Sequence, residues 1–230
     1  MIPGPYKERA MVAYDTGERA VEMVWQDLRP LDILTREAFE NAVVVCSALG
    51  GSSNAPIHVN AIARHAGVAL DNDDWQRLGH RIPLLANVMP AGAYLGEEFH
   101  RAGGVPAVQH ELLERGLLHG DVTGVDGRRL ADSIAGRETQ DEEVIRRFDN
   151  PLVEHAGFLN LKGNLFDSAL MKTSVISPDF RRRFLENPDD PEAFEGRVVV
   201  FDGSEDYHAR INDPALDIDE HTILVIRGAG

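Results

Sequence analysis

The sequence predicts an α/β fold, with an α/β-layered part over residues 1–150 followed by the start of a β-rich part over residues 151–230. Two observations support this division. Up to about Asn150, apolar residues at helical spacing alternate with a short apolar run, which is typical of layered helices and strands. Beyond the turn at Asp149-Asn150-Pro151, several short apolar runs rich in β-branched residues favour strands.

A long amphipathic helix is expected at the start of the first part. Apolar side chains recur there at roughly helical intervals: Met11, Tyr14, Val21, Val24 and Trp25. This spacing predicts a helix from about Tyr6 to Leu28, which ends where the chain meets Arg29-Pro30.

Helix caps and short apolar runs define the rest of this part. Thr35 is expected to cap one helix, and the acidic run Asp71-Asn72-Asp73-Asp74 to cap another, because hydroxyl and carboxylate oxygens accept hydrogen bonds from helix N-termini. The acidic run lacks the spacing and the central glycine of a calcium loop. Three more elements are predicted: a buried strand over Pro83–Val88 and helices over Leu95–Ala102 and Pro106–Arg115.

In the second part, four segments are strand candidates because they are short, apolar and bounded by turn residues. They are Phe158–Leu161, Ala169–Val175, Arg197–Phe201 and Ile223–Ile226.

The segment Gly50-Gly51-Ser52-Ser53-Asn54 has the composition of a binding site. Glycines let the backbone approach a ligand closely, and Ser52, Ser53 or Asn54 can cap the amphipathic helix that follows. The start of that helix would offer unpaired N–H groups and a positive dipole end to an anion or a polar cofactor. The alternative is an ordinary helix cap after a tight turn.

Composition excludes several classes of function. The net charge of −15 argues against a nucleic-acid partner, since phosphate binding needs clustered lysine and arginine. The basic run Arg181-Arg182-Arg183 is followed by acidic residues and is expected to be a solvated helix face. Neither a membrane-spanning run nor a secretory leader is recognisable, and the single cysteine, Cys46, excludes an internal disulfide, which fits a cytoplasmic protein.

Four blocks, in order along the chain, resemble the dihydroxy-acid and sugar-acid dehydratase family, also called IlvD/Edd. They begin at Gly50-Gly51-Ser52-Ser53-Asn54, Pro90-Ala91-Gly92-Ala93-Tyr94, Gly163-Asn164-Leu165-Phe166-Asp167 and Phe201-Asp202-Gly203-Ser204. This resemblance covers nearly the whole chain and implies that the β-rich part opens a barrel-like C-terminal domain.

The resemblance also implies a chemistry. Family members are hydro-lyases that form a 2-keto acid with an iron–sulfur cluster, a magnesium ion and a serine base. The cluster needs three cysteines, one of them in a Cys-Asp-Lys motif, whereas Cys46 lies in an apolar segment and is expected to be a buried, inert side chain. We therefore expect the cluster and magnesium ligands, and the serine base, to lie outside these residues, in a longer enzyme of which this segment alone is inactive.

Blocks around Asn60–Gly67 and Glu205–His208 look closer to the arabonate and xylonate branch of the family than to the branched-chain amino-acid branch. The leading hypothesis is a sugar-acid dehydratase that forms a 2-keto-3-deoxy acid, acts as a homo-oligomer when complete, and has Ser52, Ser53 and Asn54 in its substrate or cofactor pocket. Two alternatives stay open, a dihydroxy-acid dehydratase of branched-chain amino-acid synthesis and a non-catalytic partner subunit or pseudoenzyme.

Other polar residues are given structural roles. The Glu97-x-x-His100 pair has the spacing of a di-iron helix motif but occurs once, so a polar helix face is expected. His58 and His65 are two helical turns apart, too far to share one ion. Lys172 lies in a predicted strand and is expected to point to solvent, with a carboxylate contact as the alternative.

Overall fold

The computed structural model describes residues 2–185 and 195–229, and the chain forms two compact units, Met1–Val175 and Ile176–Gly230. The described residues combine helices with short strands, which confirms the α/β class as far as the presence of both kinds of element. The predicted domain boundary at residue 150 is a separate question and stays a prediction.

The first unit is mainly helical. Its helices are α1 (Lys7–Trp25), α2 (Pro30–Ile33), α3 (Arg36–Ala48), α4 (Asn54–His65), α5 (Asn72–Asp74), α6 (Gly96–Arg101), α7 (Gly104–Glu114) and α8 (Leu130–Ser133). A π-helical turn over Trp75–Gly79 continues α5. Strands β1 (Phe158–Leu161) and β2 (Ala169–Lys172) form an antiparallel hairpin in which Phe158 pairs with Lys172.

The predicted caps and helices are confirmed. The Thr35 hydroxyl accepts a hydrogen bond from the Ala38 N–H (3.3 Å) at the start of α3. The Asp71 carboxylate accepts from the N–H groups of Asp73 (2.9 Å) and Asp74 (3.1 Å) at the start of α5. Because these side chains satisfy helix N–H groups that have no partner within the helix, they fix where each helix begins.

Two apolar clusters form the core of the first unit. The larger one joins α3, α6 and α7 to an extended segment that contains Leu85 and Ala86. The smaller one joins α3 to the hairpin through Val43, Trp75 and Phe158, and the two rings meet edge to face with centroids 5.3 Å apart. This second cluster holds β1 and β2 against the end of α3 that leads into the Gly50-Gly51 turn.

The strand predicted over Pro83–Val88 is buried and extended but does not form a ladder. Leu84 and Ala86 make single antiparallel bridges to Val153 and Ile145, and Val88 makes a parallel bridge to Tyr94. Leu84 and Leu85 are fully buried. The apolar run therefore predicted burial correctly, whereas the segment meets irregular chain on both sides and cannot continue a regular sheet.

Helix α1 is present where it was predicted, but its apolar residues do not enter a core. No residue of α1 is buried. The helix contacts the rest of the unit through polar groups: Arg19 Nε donates to Val125 O (2.7 Å), and the Tyr6 hydroxyl, just before α1, donates to Glu97 Oε1 (2.7 Å).

The second unit contains a parallel pair of strands. Strand β3 (Arg197–Phe201) pairs with β4 (Thr222–Ile226), so that Val199 lies beside Leu224. Between them run α10 (Ser204–Arg210) and a 3-10 turn over Pro214–Leu216, and a short helix α9 (Pro178–Phe180) precedes β3. All four predicted strand segments are thus confirmed, with the one predicted over Ala169–Val175 ending at Lys172.

The two-stranded sheets account for every ladder in the described residues, and neither is closed. The barrel-like character of the second part therefore stays a proposal. None of the helices in residues 2–185 and 195–229 is both long and apolar enough to cross a bilayer.

Candidate functional site at the Gly50–Asn54 turn

Two glycines make the tight connection between α3 and α4. Gly50 has φ +60°, in the left-handed region that favours glycine, and a Cβ there would lie 2.9 Å from Leu84 Cδ1. At Gly51 a Cβ would collide with Cys46 Sγ and lie 3.0 Å from Cys46 O. The Gly51 N–H donates to that same carbonyl (2.9 Å), so the turn is held close to the last turns of α3.

The three predicted site residues lie together and are exposed. Ser52, Ser53 and Asn54 precede or begin α4, which runs for 12 residues. The Ser52 hydroxyl accepts from the Asn54 N–H (3.2 Å), and Ser52 O accepts from the Ala55 N–H (2.9 Å). Ser52 is therefore the one of the three whose side chain bonds to the start of α4, whereas Ser53, the residue directly before the helix, makes no side-chain cap hydrogen bond.

This cap changes what the helix terminus can offer a ligand. The expectation of unpaired N–H groups is wrong for Asn54 and Ala55, because both bond to Ser52, and Pro56 has no N–H. The positive end of the helix dipole remains. Binding at this turn would consequently use the side chains of Ser53 and Asn54 and the Ser52 hydroxyl, rather than a row of free backbone donors.

Lys172 contacts the turn from β2. Its ammonium group donates to Gly50 O (2.7 Å), so it neither points to solvent nor reaches a carboxylate. Burial lowers the pKa of this ammonium group. Strand β2 therefore places a partly buried positive charge beside the glycine turn, a position that spacing along the sequence does not reveal.

Cys46 lies under the same turn and is a poor ligand. Burial raises the pKa of its thiol to about 11, although the nearby Lys172 charge acts in the opposite direction. Metal coordination requires the thiolate, which is scarce at neutral pH when the pKa is that high. The interpretation of Cys46 as an inert side chain packed against the smaller core cluster is supported.

A chain of polar side chains ties α4 and α5 to the hairpin. Trp75 Nε1 donates to Asn60 Oδ1 (2.8 Å), and Asn60 Nδ2 donates to Asn72 Oδ1 (3.1 Å). Asn72 Nδ2 donates to Ser168 Oγ (2.9 Å), whose hydroxyl donates to Asn160 Oδ1 (2.6 Å). These links run from α4 across to both sides of the hairpin.

The chain of bonds ends at an acidic residue of α5. Asn160 Nδ2 donates to Asp73 Oδ1 (2.7 Å), and Lys162 forms an ion pair with the other oxygen (2.7 Å). Lys162 lowers the pKa of the Asp73 carboxyl, as does the hydrogen bond from Asn160. Sequence reasoning missed this network, because its members come from four separate segments.

Glu97, His100 and His65 have structural partners. Glu97 accepts from Tyr6 and pairs with Arg101 (2.5 Å), and the His100 ring lies against Tyr6. His65 Nδ1 contacts Ala61 O (2.9 Å) on exposed α4. An open groove of about 820 Å³ lies farther along α4, lined by Asn60, Arg64 and His65 among others, and Ser52, Ser53 and Asn54 do not line it.

Comparison with known families covers almost the entire chain. Residues 1–133 match the dihydroxy-acid/6-phosphogluconate dehydratase N-terminal family model, and residues 143–230 match the C-terminal model of the same name. The chain belongs to the dihydroxy-acid/6-phosphogluconate dehydratase family. The N-terminal match ends and the C-terminal match begins within the first unit, and all of the Gly50–Asn54 turn belongs to the N-terminal match.

Several relatives named as dehydratases are similar over most or all of the chain. A D-xylonate dehydratase from Caulobacter vibrioides is 59% identical over 229 residues, and an L-arabinonate dehydratase from Rhizobium leguminosarum bv. trifolii is 42% identical over 230 residues. A dihydroxy-acid dehydratase from Acidothermus cellulolyticus is 41% identical over 206 residues, or 88% of this chain. The chain spans about 38% of the length of the first two relatives and 35% of the third.

The dehydratase fold family implies metal cofactors, and the donor atoms of residues 2–185 and 195–229 do not fit them. Among the described residues, no group of three or more His, Cys, Asp or Glu side chains is arranged to hold a metal ion. The one cysteine is protonated at neutral pH, and a cluster needs several thiolates. The Gly50–Asn54 turn and Lys172 can donate hydrogen bonds and positive charge, which suits an oxygen-rich anion rather than a metal.

Proposed function

We propose that the complete protein is a hydro-lyase that dehydrates an aldonic acid to a 2-keto-3-deoxy acid. The observation that carries this proposal is the 59% identity to a D-xylonate dehydratase across all of the chain. The 42% identity to an L-arabinonate dehydratase over the same residues points to the same class of substrate. Because the chain spans about 38% of these relatives, the activity is proposed for the complete protein and not for these residues alone.

The proposal assigns the turn to substrate binding. Ser52, Ser53 and Asn54 are exposed, adjacent and uncharged, and each can exchange a hydrogen bond to water for one to a substrate hydroxyl. The positive end of α4 and the Lys172 ammonium group lie beside the same turn, and both favour an anionic ligand. A polyhydroxy carboxylate has both the hydroxyl groups and the negative charge that this turn would bind.

The cofactors proposed for the complete protein are an iron–sulfur cluster and Mg²⁺, as the family resemblance implies. Their ligands would come from the portion of the relatives' length that this chain does not span, and so would the serine base. Since the described residues do not fit these groups, the role proposed for this chain is to bind and orient the acid and to support the pocket.

Other features of the complete protein are proposals of the same kind. We place the domain boundary near residue 150, which the start of the C-terminal family match at residue 143 supports. The β-rich part would continue into a barrel-like domain. The protein is proposed to be cytoplasmic and homo-oligomeric, and to act on a small acid without a nucleic-acid or membrane partner.

Two alternatives remain. A relative named dihydroxy-acid dehydratase has 41% sequence identity to this chain over 206 residues. This identity favours an enzyme of branched-chain amino-acid synthesis as the second candidate. The third candidate is a non-catalytic partner subunit or pseudoenzyme.

A substrate panel with matched variants tests the proposal. The complete protein, loaded anaerobically with cluster and Mg²⁺, is assayed for 2-keto acid formation from D-xylonate, L-arabinonate and a branched 2,3-dihydroxy acid. Asn54→Ala is expected to lower kcat/KM for the preferred acid by roughly 10-fold or more, the usual effect of one lost substrate hydrogen bond to an uncharged group. The control Asn212→Ala removes an equally exposed amide in the second unit and should leave the rate unchanged.

Three results would contradict it. Equal rates for Asn54→Ala and Asn212→Ala would remove the turn from the substrate site. Dehydration of the branched dihydroxy acid alone would favour the second candidate, and no dehydration of any acid by the loaded protein would favour the third.

A further inference from the structure

Lys172 is a partly buried cation that has no acidic partner among the residues the structure describes. Its ammonium group donates to Gly50 O (2.7 Å), and burial lowers its pKa. Lys162, which follows β1 in the same hairpin, differs because it is paired with Asp73. A charge taken out of water is normally compensated by an opposite charge, so Lys172 has the environment of a residue that meets an anion.

A second donor without an acceptor faces the same glycine. Ser174 is 5% exposed, and its hydroxyl has no hydrogen-bond partner within residues 2–185 and 195–229. Its Oγ lies 3.4 Å from where a Cβ on Gly50 would be. Because no acceptor fixes the direction of the O–H bond, its dipole can rotate toward a negative charge at the turn. The serine and the lysine therefore both favour an anion beside Gly50.

The other neighbours of Gly50 do not cancel this positive charge. The position of its missing Cβ lies 2.9 Å from Leu84 Cδ1 and 3.6 Å from Ala91 Cβ, and these apolar groups strengthen electrostatic interactions by excluding water. Burial raises the pKa of the Cys46 thiol to about 11, so this neighbour of Lys172 stays neutral. The positive end of the α4 dipole follows the turn and acts in the same direction.

Resting on the proposed function, we propose that the acid lies along the Gly50–Asn54 turn with its carboxylate on the Lys172 ammonium group and its hydroxyl groups toward Asn54. An ammonium group has three N–H donors, and Gly50 O uses one of them. The amide of Asn54 can both donate and accept, which suits hydroxyl groups. Lys172 thereby selects an acid over the corresponding alcohol, whereas Asn54 contacts either ligand.

Two matched ligands separate the roles of Lys172 and Asn54. One is a 3-deoxy five-carbon aldonic acid, which is not dehydrated because it has no 3-hydroxyl to lose. The other is the alcohol that carries a CH2OH group in place of the carboxylate. Isothermal titration calorimetry with the complete, cofactor-loaded protein gives both dissociation constants, and the wild type is expected to bind the acid more tightly.

The variants are expected to affect the two ligands differently. Lys172→Met should weaken binding of the acid by about 10- to 100-fold, the usual effect of a lost hydrogen bond to a charged group, and should change binding of the alcohol less than about 2-fold. Lys172→Arg keeps the charge and should bind the acid more tightly than Lys172→Met. Asn54→Ala should weaken both ligands by a similar factor of about 10. The control Lys162→Met removes a lysine already paired with Asp73 and should change neither.

Three results would overturn the proposal. Equal weakening of acid and alcohol by Lys172→Met would show that Lys172 only holds the turn through Gly50 O. Unchanged binding of the acid would show that Lys172 pairs with another part of the complete protein. Failure of the wild type to bind the acid would remove the subsite altogether.

Dehydration of D-xylonate by the same preparations tests the proposed function separately. A wild type that dehydrates this acid, with a Lys172→Met variant that binds the 3-deoxy acid normally, would overturn the Lys172 subsite alone. A wild type that binds the 3-deoxy acid through Lys172 but dehydrates no aldonic acid would contradict the proposed function alone.

Discussion

Gly51→Ala should destabilise the first unit by an amount that depends on Cys46. A Cβ at position 51 collides with Cys46 Sγ and comes within 3.0 Å of Cys46 O. The carbonyl cannot move aside easily, because it already accepts the Gly51 N–H at 2.9 Å. Inserting a methyl group into such a packed position costs about 1–3 kcal/mol.

A double-mutant cycle isolates the Sγ contribution to this cost. Cys46→Ala removes the sulfur but leaves the carbonyl, so the double variant should be about 0.5–1.5 kcal/mol more stable than the sum of the two single changes. Full rescue is not expected, since the contact with Cys46 O remains. Urea unfolding followed by circular dichroism gives the free energies of unfolding.

Gly163→Ala is the matched control for this cycle. Gly163 lies in the exposed turn between β1 and β2, has no atom within 4 Å of a would-be Cβ, and does not have positive φ. Its replacement should change the free energy of unfolding by less than about 0.5 kcal/mol. If Gly51→Ala were equally harmless, or if the cycle showed no coupling with Cys46, the close-packed turn described above would be wrong.

Three further predictions concern the groups around the site. Asn160→Ala should destabilise the first unit by about 1–3 kcal/mol in urea unfolding, because Ser168 and Asp73 each lose one of their two hydrogen-bond partners. Asn212→Ala should have little effect, and equal effects of the two changes would contradict the polar network. Arg36 and Arg77 hold the pKa of the Asp74 carboxyl far below its usual range, so the unfolded state binds the extra proton as the pH falls below about 4. The free energy of unfolding of the wild type should therefore fall steeply as the pH is lowered through the acid range. Asp74→Asn should be less stable by about 1.5–3 kcal/mol at neutral pH, and its free energy of unfolding should depend less on pH. Equal pH dependence of the two proteins would exclude Asp74 as the cause. Ultraviolet titration of the Cys46 thiol should give a midpoint of about 11, because burial disfavours the thiolate, so a midpoint near the ordinary value would contradict the burial of Cys46.

Local sequence patterns predicted much of the fold. The helix caps at Thr35 and Asp71, helix α1 and the four strand segments depend on neighbouring residues and were all predicted correctly. The segment Pro83–Val88 was predicted to be buried, but two of its three bridges, from Leu84 and Ala86, reach chain more than 50 residues away, which periodicity does not encode.

The candidate site was predicted less completely. The turn and its exposed Ser52, Ser53 and Asn54 could be read from glycine and capping chemistry. The position of Lys172 could not, because it depends on the packing of Trp75 against Phe158, which brings β2 to the turn. The orientation of α1 was also missed, since a helical period identifies an apolar face but not what covers it.

The measurement that tests the central claim most directly is a competition between two acids. The complete, cofactor-loaded protein is given equal amounts of a five-carbon aldonic acid and a branched 2,3-dihydroxy acid, and the two 2-keto products are separated and quantified. The product ratio equals the ratio of the two kcat/KM values. The proposed function predicts that the 2-keto-3-deoxy acid predominates by at least about 10-fold, and a predominance of the branched 2-keto acid, or the absence of both products, would contradict it.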